Sequence, residues 1–439
     1  MSTPERHIPS LSNRPYILVE ASKLAMEKND GCKRYVTEIV KGLLKYQKEL
    51  ECPWELEFLV EGRIYSAEEL NIFFSAPSKS LTKPEPKQSL FKRARQVVKK
   101  VSYKMLTEDH YKALEGWQYR VKLRKRNLTS KYNKLKTLLS PSKQKYSLVH
   151  LTLPLSPRFI DSEGTKFLTT IHDFTHKYYP QFHIKENIVN SEKGIEFSQR
   201  NNSWWIAISD STKKDLQKFC QVEEEKIFTI YEAADHKRFN TQVSSSDKIF
   251  MRNKYNIPLD AKYILSLSTL EPRKNIHNTI RAFSELTQEL KDPNLYLVIS
   301  GRMGWMMEEL LNDNGIKSDK IIFTGFVSEK DLPIIYSDAL ALSYVSFYEG
   351  FGLPPLEAMS SGTPVIYGNN SSQIEIIGDS GIGAEAHSVD SIKTAMKKII
   401  TDDNFRMGMQ SKARTRAAQF SWEKCVEETI EAYKKVLAV

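Results

Sequence analysis

DALALSYVSFYEGFGLPPLEAMSSGTPVIYG, residues 338–368, compresses a strand, a glycine loop, a helix and a second strand into one short run. Its apolar ends read as buried strands, the first closing over Tyr344 to Ser346. Between them Gly350 and Gly352 allow a tight loop, Pro354 and Pro355 suit the first positions of a helix, and Gly362 closes that helix. The same rhythm extends outward. AKYILSLST, NLYLVISG and KIIFTGF are strand-like, with helical patterns such as NIHNTIRAFSELTQEL between them. Nearer the N-terminus, PYILVEAS, WELEFLVEG, YSLVHLTLP, KFLTTIHDF and SWWIAISD read as strands, and NDGCKRYVTEIVKGLLKY as a turn leading into an amphipathic helix. Such alternation predicts an α/β fold with mainly parallel sheets.

A chain of 439 residues exceeds what one hydrophobic core organises, so two domains are expected. The polar stretch TQVSSSDK, Thr241 to Lys248, interrupts the alternation and suggests a linker near position 245. The expected organisation is a doubly wound domain over 1–245, a second over 246–420, and a helix over 421–439 that could pack back on the first. Ligands in such sheets bind outside the carboxyl ends of the strands.

Four scattered cysteines without a CxxC pair give neither a disulfide framework nor a zinc knuckle. No apolar run approaches the roughly 20 residues of a membrane helix. The opening residues lack the order of a secretory signal, so a cytoplasmic, soluble or peripheral protein is expected. The net charge of +10 is concentrated over 83–145, which holds 19 Lys/Arg against 4 Asp/Glu.

The opening stretch also carries chemistry. The glycine loop frees backbone N–H groups, and the helix start adds its positive dipole end, which together suit a phosphate. Glu349 precedes the loop and Glu357 lies about one turn inside the helix, so both could face one cleft. Carboxylates beside a phosphate suit neutral hydroxyls better than another anion. A sugar nucleotide offers phosphate and hydroxyls at once.

With these residues in view, YEGFGLPPLEAMSSGTPVI, with its two glutamates separated by seven residues, resembles the donor site of the retaining glycosyltransferases of family four, which have the GT-B fold of two Rossmann-like domains facing across a cleft. LSTLEPRKNI, FTGFVSEKDLPIIYSDA, FSWEKC, TIHDFTHKYYP and AISDSTKKDL agree with that resemblance and follow in its order. The resemblance implies that Glu357 holds the ribose hydroxyls and Glu349 a hydroxyl of the transferred sugar. It places the amides of Gly350, Phe351, Gly352 and Leu353 near that sugar and the diphosphate. Arg273 and Lys274 would neutralise the leaving phosphate, His172 would contact the sugar with Asp173 beside it, and Gly31 would approach the diphosphate from the N-terminal side. One departure is Ser268 and Thr269, where many members carry an arginine; Arg273 could compensate.

The implied reaction is sugar transfer with retained configuration from a nucleoside diphosphate, GDP-mannose being the first donor expected, to a glycan or lipid-linked glycan in cell-surface polysaccharide synthesis. Neither a metal nor a cofactor is expected. A sugar phosphorylase or synthase of the same fold is the enzymatic alternative. Over 114–139 a basic amphipathic helix pattern suits an anionic membrane surface, or equally an inserted structural hairpin. Nucleic-acid binding through the same segment is the rival from another class, and a donor-binding subunit without activity is the other non-enzyme reading.

Overall fold

The computed structural model describes residues 14–26, 30–49, 52–75, 145–157, 160, 163–239, 242–302 and 319–438. The basic segment expected to meet a membrane or nucleic acid, 83–145, lies outside the described residues but for Lys145. The chain divides into two compact units, 1–152 with 157–166, and 153–156 with 167–439.

The first unit contains β1 (Tyr16–Glu20), α1 (Gly31–Glu49), β2 (Glu55–Val60), β3 (Arg63–Ser66), α2 (Ala67–Ser75) and β4 (Leu148–Leu151), with strands in the order β3-β2-β1-β4. β1 runs parallel to β2 and β4, whereas β3 returns antiparallel to β2. The turn between them is Glu61-Gly62, both at positive φ, the backbone that a two-residue hairpin requires. Gly31, expected in a loop, is instead the first helical residue of α1. The cause is Asp30, whose Oδ1 accepts the Lys33 amide at 2.8 Å and so caps the helix one residue earlier.

The second unit opens with β5 (Lys166–Ile171), β6 (Trp204–Ala207) and β7 (Ile227–Thr229), all parallel. Among them lie α3 (Thr175–Tyr178), α4 (Lys185–Arg200) and α5 (Asp210–Cys220), with α6 (His236–Phe239) after β7. The polar stretch expected to be a linker is partly helix, because Ser244 and Asp247 form a reciprocal capping box that starts α7 (Ser245–Lys254).

Beyond it stands a six-stranded parallel sheet in the order β10-β9-β8-β11-β12-β13. Its strands are β8 (Lys262–Leu267), β9 (Leu295–Ser300), β10 (Ile321–Gly325), β11 (Ala341–Tyr344), β12 (Val365–Gly368) and β13 (Ile382–Ala384). β8 and β11 are almost wholly buried, which is why they read as unbroken apolar runs rather than alternating ones. Around the sheet pack α8 (Ile276–Leu290), α9 (Leu332–Asp338), α10 (Leu353–Ser360), α11 (Ser371–Ile377), α12 (Val389–Thr401) and α13 (Asp403–Ala417). Ile280, Phe283, Met396 and Ile399 from α8 and α12 share one core with Leu297 and Ile366 from the sheet. The chain enters at the centre with β8, winds out to β10 and returns to β11. That reversal is a topological switch point, and the carboxyl ends of β8 and β11 on either side of it are where sheets of this kind bind ligands.

The last helix, α14 (Trp422–Ala438), sets the Lys435 ammonium 5.9 Å and 5.3 Å from the ring centres of Trp204 and Phe228. Among the described residues no helix is long and apolar enough to cross a membrane.

Candidate active site

The switch point brings together the two loops that carry most of the expected site residues. After β8, Pro272 starts a single 3-10 turn, and Asn275 takes a left-handed conformation (φ 56°) that ends it. The buried Asn275 amide then donates to Val345 O at 3.0 Å and Ala386 O at 2.6 Å. Phe347 N donates to Arg273 O at 3.0 Å. These bonds fasten the β8 loop beside the end of β11.

The β11 loop is fixed by side chains from the start of α11. Asn370 and Gln373 donate to Ser346 O, Ser372 donates to both Glu349 O and Phe351 O, and Glu349 N donates to Ser371 Oγ. Each bond satisfies a backbone group that burial would otherwise leave stranded. A loop so fully bonded presents its side chains in one geometry.

At its centre is a buried charge cluster. Lys274 Nζ donates to Glu349 Oε1 at 2.6 Å and to the Tyr344 hydroxyl at 2.7 Å. Arg273 donates to Glu349 Oε2 at 3.0 Å, to Tyr348 O at 2.9 Å and to Glu271 Oε1 at 2.7 Å. Burial alone would raise the Glu349 carboxyl, but Lys274 and Arg273 together hold it down at about 2. Burial pulls Lys274 below its ordinary value, aided by the guanidinium beside it. Arg273 is raised: the carboxylates of Glu349, Glu271 and Asp173 outweigh its burial. Both oxygens of Glu349 are therefore engaged by cations, so a sugar hydroxyl would join an existing network rather than meet a bare carboxylate.

His172 and Asp173, at the end of β5, meet the same loop. A Cβ placed on Gly350 would lie 1.7 Å from His172 O and 2.9 Å from Asp173 Cβ, so only glycine admits this approach. Ser209 Oγ donates to Gly350 O at 2.7 Å from the other side. Asp173 accepts Thr175 N at 3.0 Å and Thr175 Oγ1 at 2.6 Å. Although burial opposes it, Arg273 and these bonds keep its carboxyl below the ordinary range. The His172 ring sets Nδ1 3.2 Å from Glu232 Oε1.

Residues 247–416 match the family model for glycosyl transferases group 1. The chain is 33% identical over 269 residues to the O-antigen chain mannosyltransferase B of Escherichia coli, spanning 61% of this chain and 70% of that one. The chain belongs to the group 1 glycosyltransferases. It is also 30% identical over 235 residues to the serotype-specific mannosyltransferase WbdA of Escherichia coli, covering 53% of this chain but only 29% of that longer one. Two solved structures show that this glycosyltransferase has the GT-B fold. One is Anabaena HepE in complex with UDP and glucose (TM-score 0.63, 16% identity, 96% of this chain and all of the other). The other is the sucrose-phosphate synthase of Thermosynechococcus elongatus (TM-score 0.64, 18% identity, 97% of this chain and all of the other).

Of the residues the sequence singled out, this glycosyltransferase gathers His172, Asp173, Arg273, Lys274, Glu349 and Gly350 at one place. Gly352 sits at φ 109° as the residue before α10. Phe351 and Leu353 are buried, with the Phe351 ring packed against Tyr231 and Phe420. Glu357 lies inside α10, 2% exposed, and accepts the Tyr336 hydroxyl at 3.0 Å. Gly31 belongs to the first unit. Glu232, Tyr348 and Asp215 escaped the sequence reading. Tyr178 and Tyr348 stack at 4.7 Å and both donate to Asp215. Burial raises the Asp215 carboxyl, and burial with Asp215 as partner pushes the Tyr178 phenol up to about 12.

The charge cluster has a pH signature. Glu349 titrates near 4.5 when unfolded and about 2 when folded, so its contribution to stability is complete above the higher value and disappears as pH falls toward the lower. The melting temperature should therefore fall between about pH 5 and pH 2, and fall less steeply in Glu349→Gln. Equal slopes in the two proteins would remove Glu349 from the acid transition.

Proposed function

We propose that this glycosyltransferase moves a mannosyl group, with retained anomeric configuration, from GDP-mannose to a hydroxyl of a glycan or lipid-linked glycan. The setting would be cell-surface polysaccharide synthesis at the inner face of the cytoplasmic membrane. The observation that carries the proposal is the Arg273–Lys274 pair, held on one buried carboxylate at the switch point beside Gly350, whose place admits no side chain. The choice of mannose is supported by the O-antigen mannosyltransferases among the relatives, including RfbU of Salmonella typhimurium, 31% identical over 232 residues, covering 52% of this chain and 60% of that one.

In this reading Arg273 and Lys274 take up the charge that grows on the leaving diphosphate, as preorganised cations do where negative charge develops. Glu349 accepts a hydroxyl of the sugar, Glu357 the ribose hydroxyls, and the amides of Gly350 to Leu353 lie along the sugar and diphosphate. His172 contacts the sugar. The bond from C1 to the phosphate oxygen breaks, the acceptor oxygen bonds to C1 on the same face, and the leaving phosphate takes the acceptor's proton. The chain supplies the cations itself, so the reaction proceeds without a metal or resident cofactor.

A thermal-shift series with GDP-, UDP-, ADP- and dTDP-sugars, with and without Mg²⁺, tests this directly. GDP-mannose should raise the melting temperature without Mg²⁺, since a ligand at about 100 times its Kd stabilises the folded state by about 2.7 kcal/mol. A shift with another nucleotide alone would reassign the donor, and no shift with any would remove the donor-site reading.

A further inference from the structure

Tyr348, Glu349 and Gly350 follow one another in the β11 loop, and the outer two are held by one helix. Ser209, which caps α5, donates from Oγ to Gly350 O at 2.7 Å, and Thr212 Oγ1 lies 3.4 Å from the same oxygen. Three residues on, and so on the same face of α5, is Asp215, 4% exposed. Its Oδ2 accepts the Tyr348 hydroxyl and its Oδ1 the Tyr178 hydroxyl, the latter at 2.7 Å. The two rings stack at 4.7 Å, which a pair of phenylalanines would do as well, so packing does not call for the hydroxyls. The carboxylate does. It can only accept, and burial requires a donor at each oxygen.

Tyr348 is tied a second time through its carbonyl, which accepts Arg273 Nη1 at 2.9 Å, the same nitrogen that meets Glu349 Oε2 at 3.0 Å. A shift of residue 348 therefore disturbs Arg273 and Glu349 together. We propose that Asp215 is a positioning residue for sugar transfer: by holding the Tyr348 hydroxyl it sets the place of the adjoining Glu349 and of Arg273. Its effect on transfer rests on the roles proposed above for those two residues; its hold on the loop does not. The neighbouring charges are engaged elsewhere. Lys218 donates to the Tyr178 hydroxyl at 3.3 Å, and Asp173 accepts from Thr175.

The test uses the full chain in four forms: wild type, Asp215→Ala, Tyr348→Phe, which keeps the ring and its stack, and the double variant. In transfer assays each single variant should lose about 100-fold in kcat, the scale for a misplaced group. Both remove the same link, so the double variant should also lose about 100-fold, whereas independent sites would multiply to about 10⁴-fold. Hydrogen exchange read on the peptide 346–352 of the free protein should quicken about tenfold in both single variants. Should Asp215→Ala fail to fold, Tyr348→Phe alone decides. A kcat near wild type in Tyr348→Phe, even with a lower melting temperature, would reduce the network to a structural one and overturn the proposal. Multiplied losses in the double variant, or unchanged exchange, would overturn it too. If wild type transferred no sugar, the roles given to Glu349 and Arg273 would fall instead, and the exchange would still decide whether Asp215 holds the loop.

Discussion

Lys274→Ala should lower kcat by about 10²- to 10³-fold, the usual cost of removing one preorganised group that meets developing negative charge. Stability should fall with it. Lys274 is one of two cations on a carboxylate that is 6% exposed, and its loss leaves Oε1 of Glu349 without a charged donor. Breaking a buried pair from one side costs about 3–5 kcal/mol, here reduced because Arg273 remains. The double variant Lys274→Met with Glu349→Gln separates the two effects. Neutralising both partners should recover much of the stability in urea melts yet none of the activity. If the single variant kept wild-type rates, the assignment of Lys274 to the leaving diphosphate would be wrong.

Gly350→Ala should be comparably damaging for a different reason. The added Cβ would fall 1.7 Å from His172 O and 2.8 Å from its carbonyl carbon, both backbone atoms that cannot rotate away. Overpacking of this kind costs about 1–3 kcal/mol, and the resulting displacement of the Glu349 loop should cost about 100-fold in kcat. Gly408→Ala is the control, because nothing lies within 4 Å of its Cβ position. Wild-type kinetics in Gly350→Ala would mean that the loop and the end of β5 need not touch during turnover.

Much of this was legible in the sequence. The buried parallel strands β8, β9, β11 and β12 announce themselves as apolar runs, and the glycines and prolines around Glu349 punctuate the loop and helix that the structure forms. What stayed hidden was short or long-range. β3, β7 and β13 span four, three and three residues, too few for any periodicity to show. Gly31 looked like a turn residue because the cap that draws it into α1 lies in the side chain of Asp30, not in a spacing. Glu232 sits in YEAAD with no flanking pattern, and only the fold reveals that it meets His172, 60 positions away. The same holds for Asp215, whose partners Tyr178 and Tyr348 come from either side of it in the chain.

The contact at Gly350 also bears on how freely this enzyme could be recombined. The end of β5 and the start of α5 are matched to residues 350 and 375: His172 O against Gly350, Ser209 Oγ on Gly350 O, and the amides of Asp210 and Ser211 on the Glu375 carboxylate at 2.7 and 3.1 Å. A chimera that takes residues 1–240 from one such enzyme and the remainder from another inherits these as a lock cut for a particular key. C-terminal parts with a glycine and an acidic residue at the two positions should be interchangeable; others should demand compensating changes at 172, 209 and 210 before they assemble.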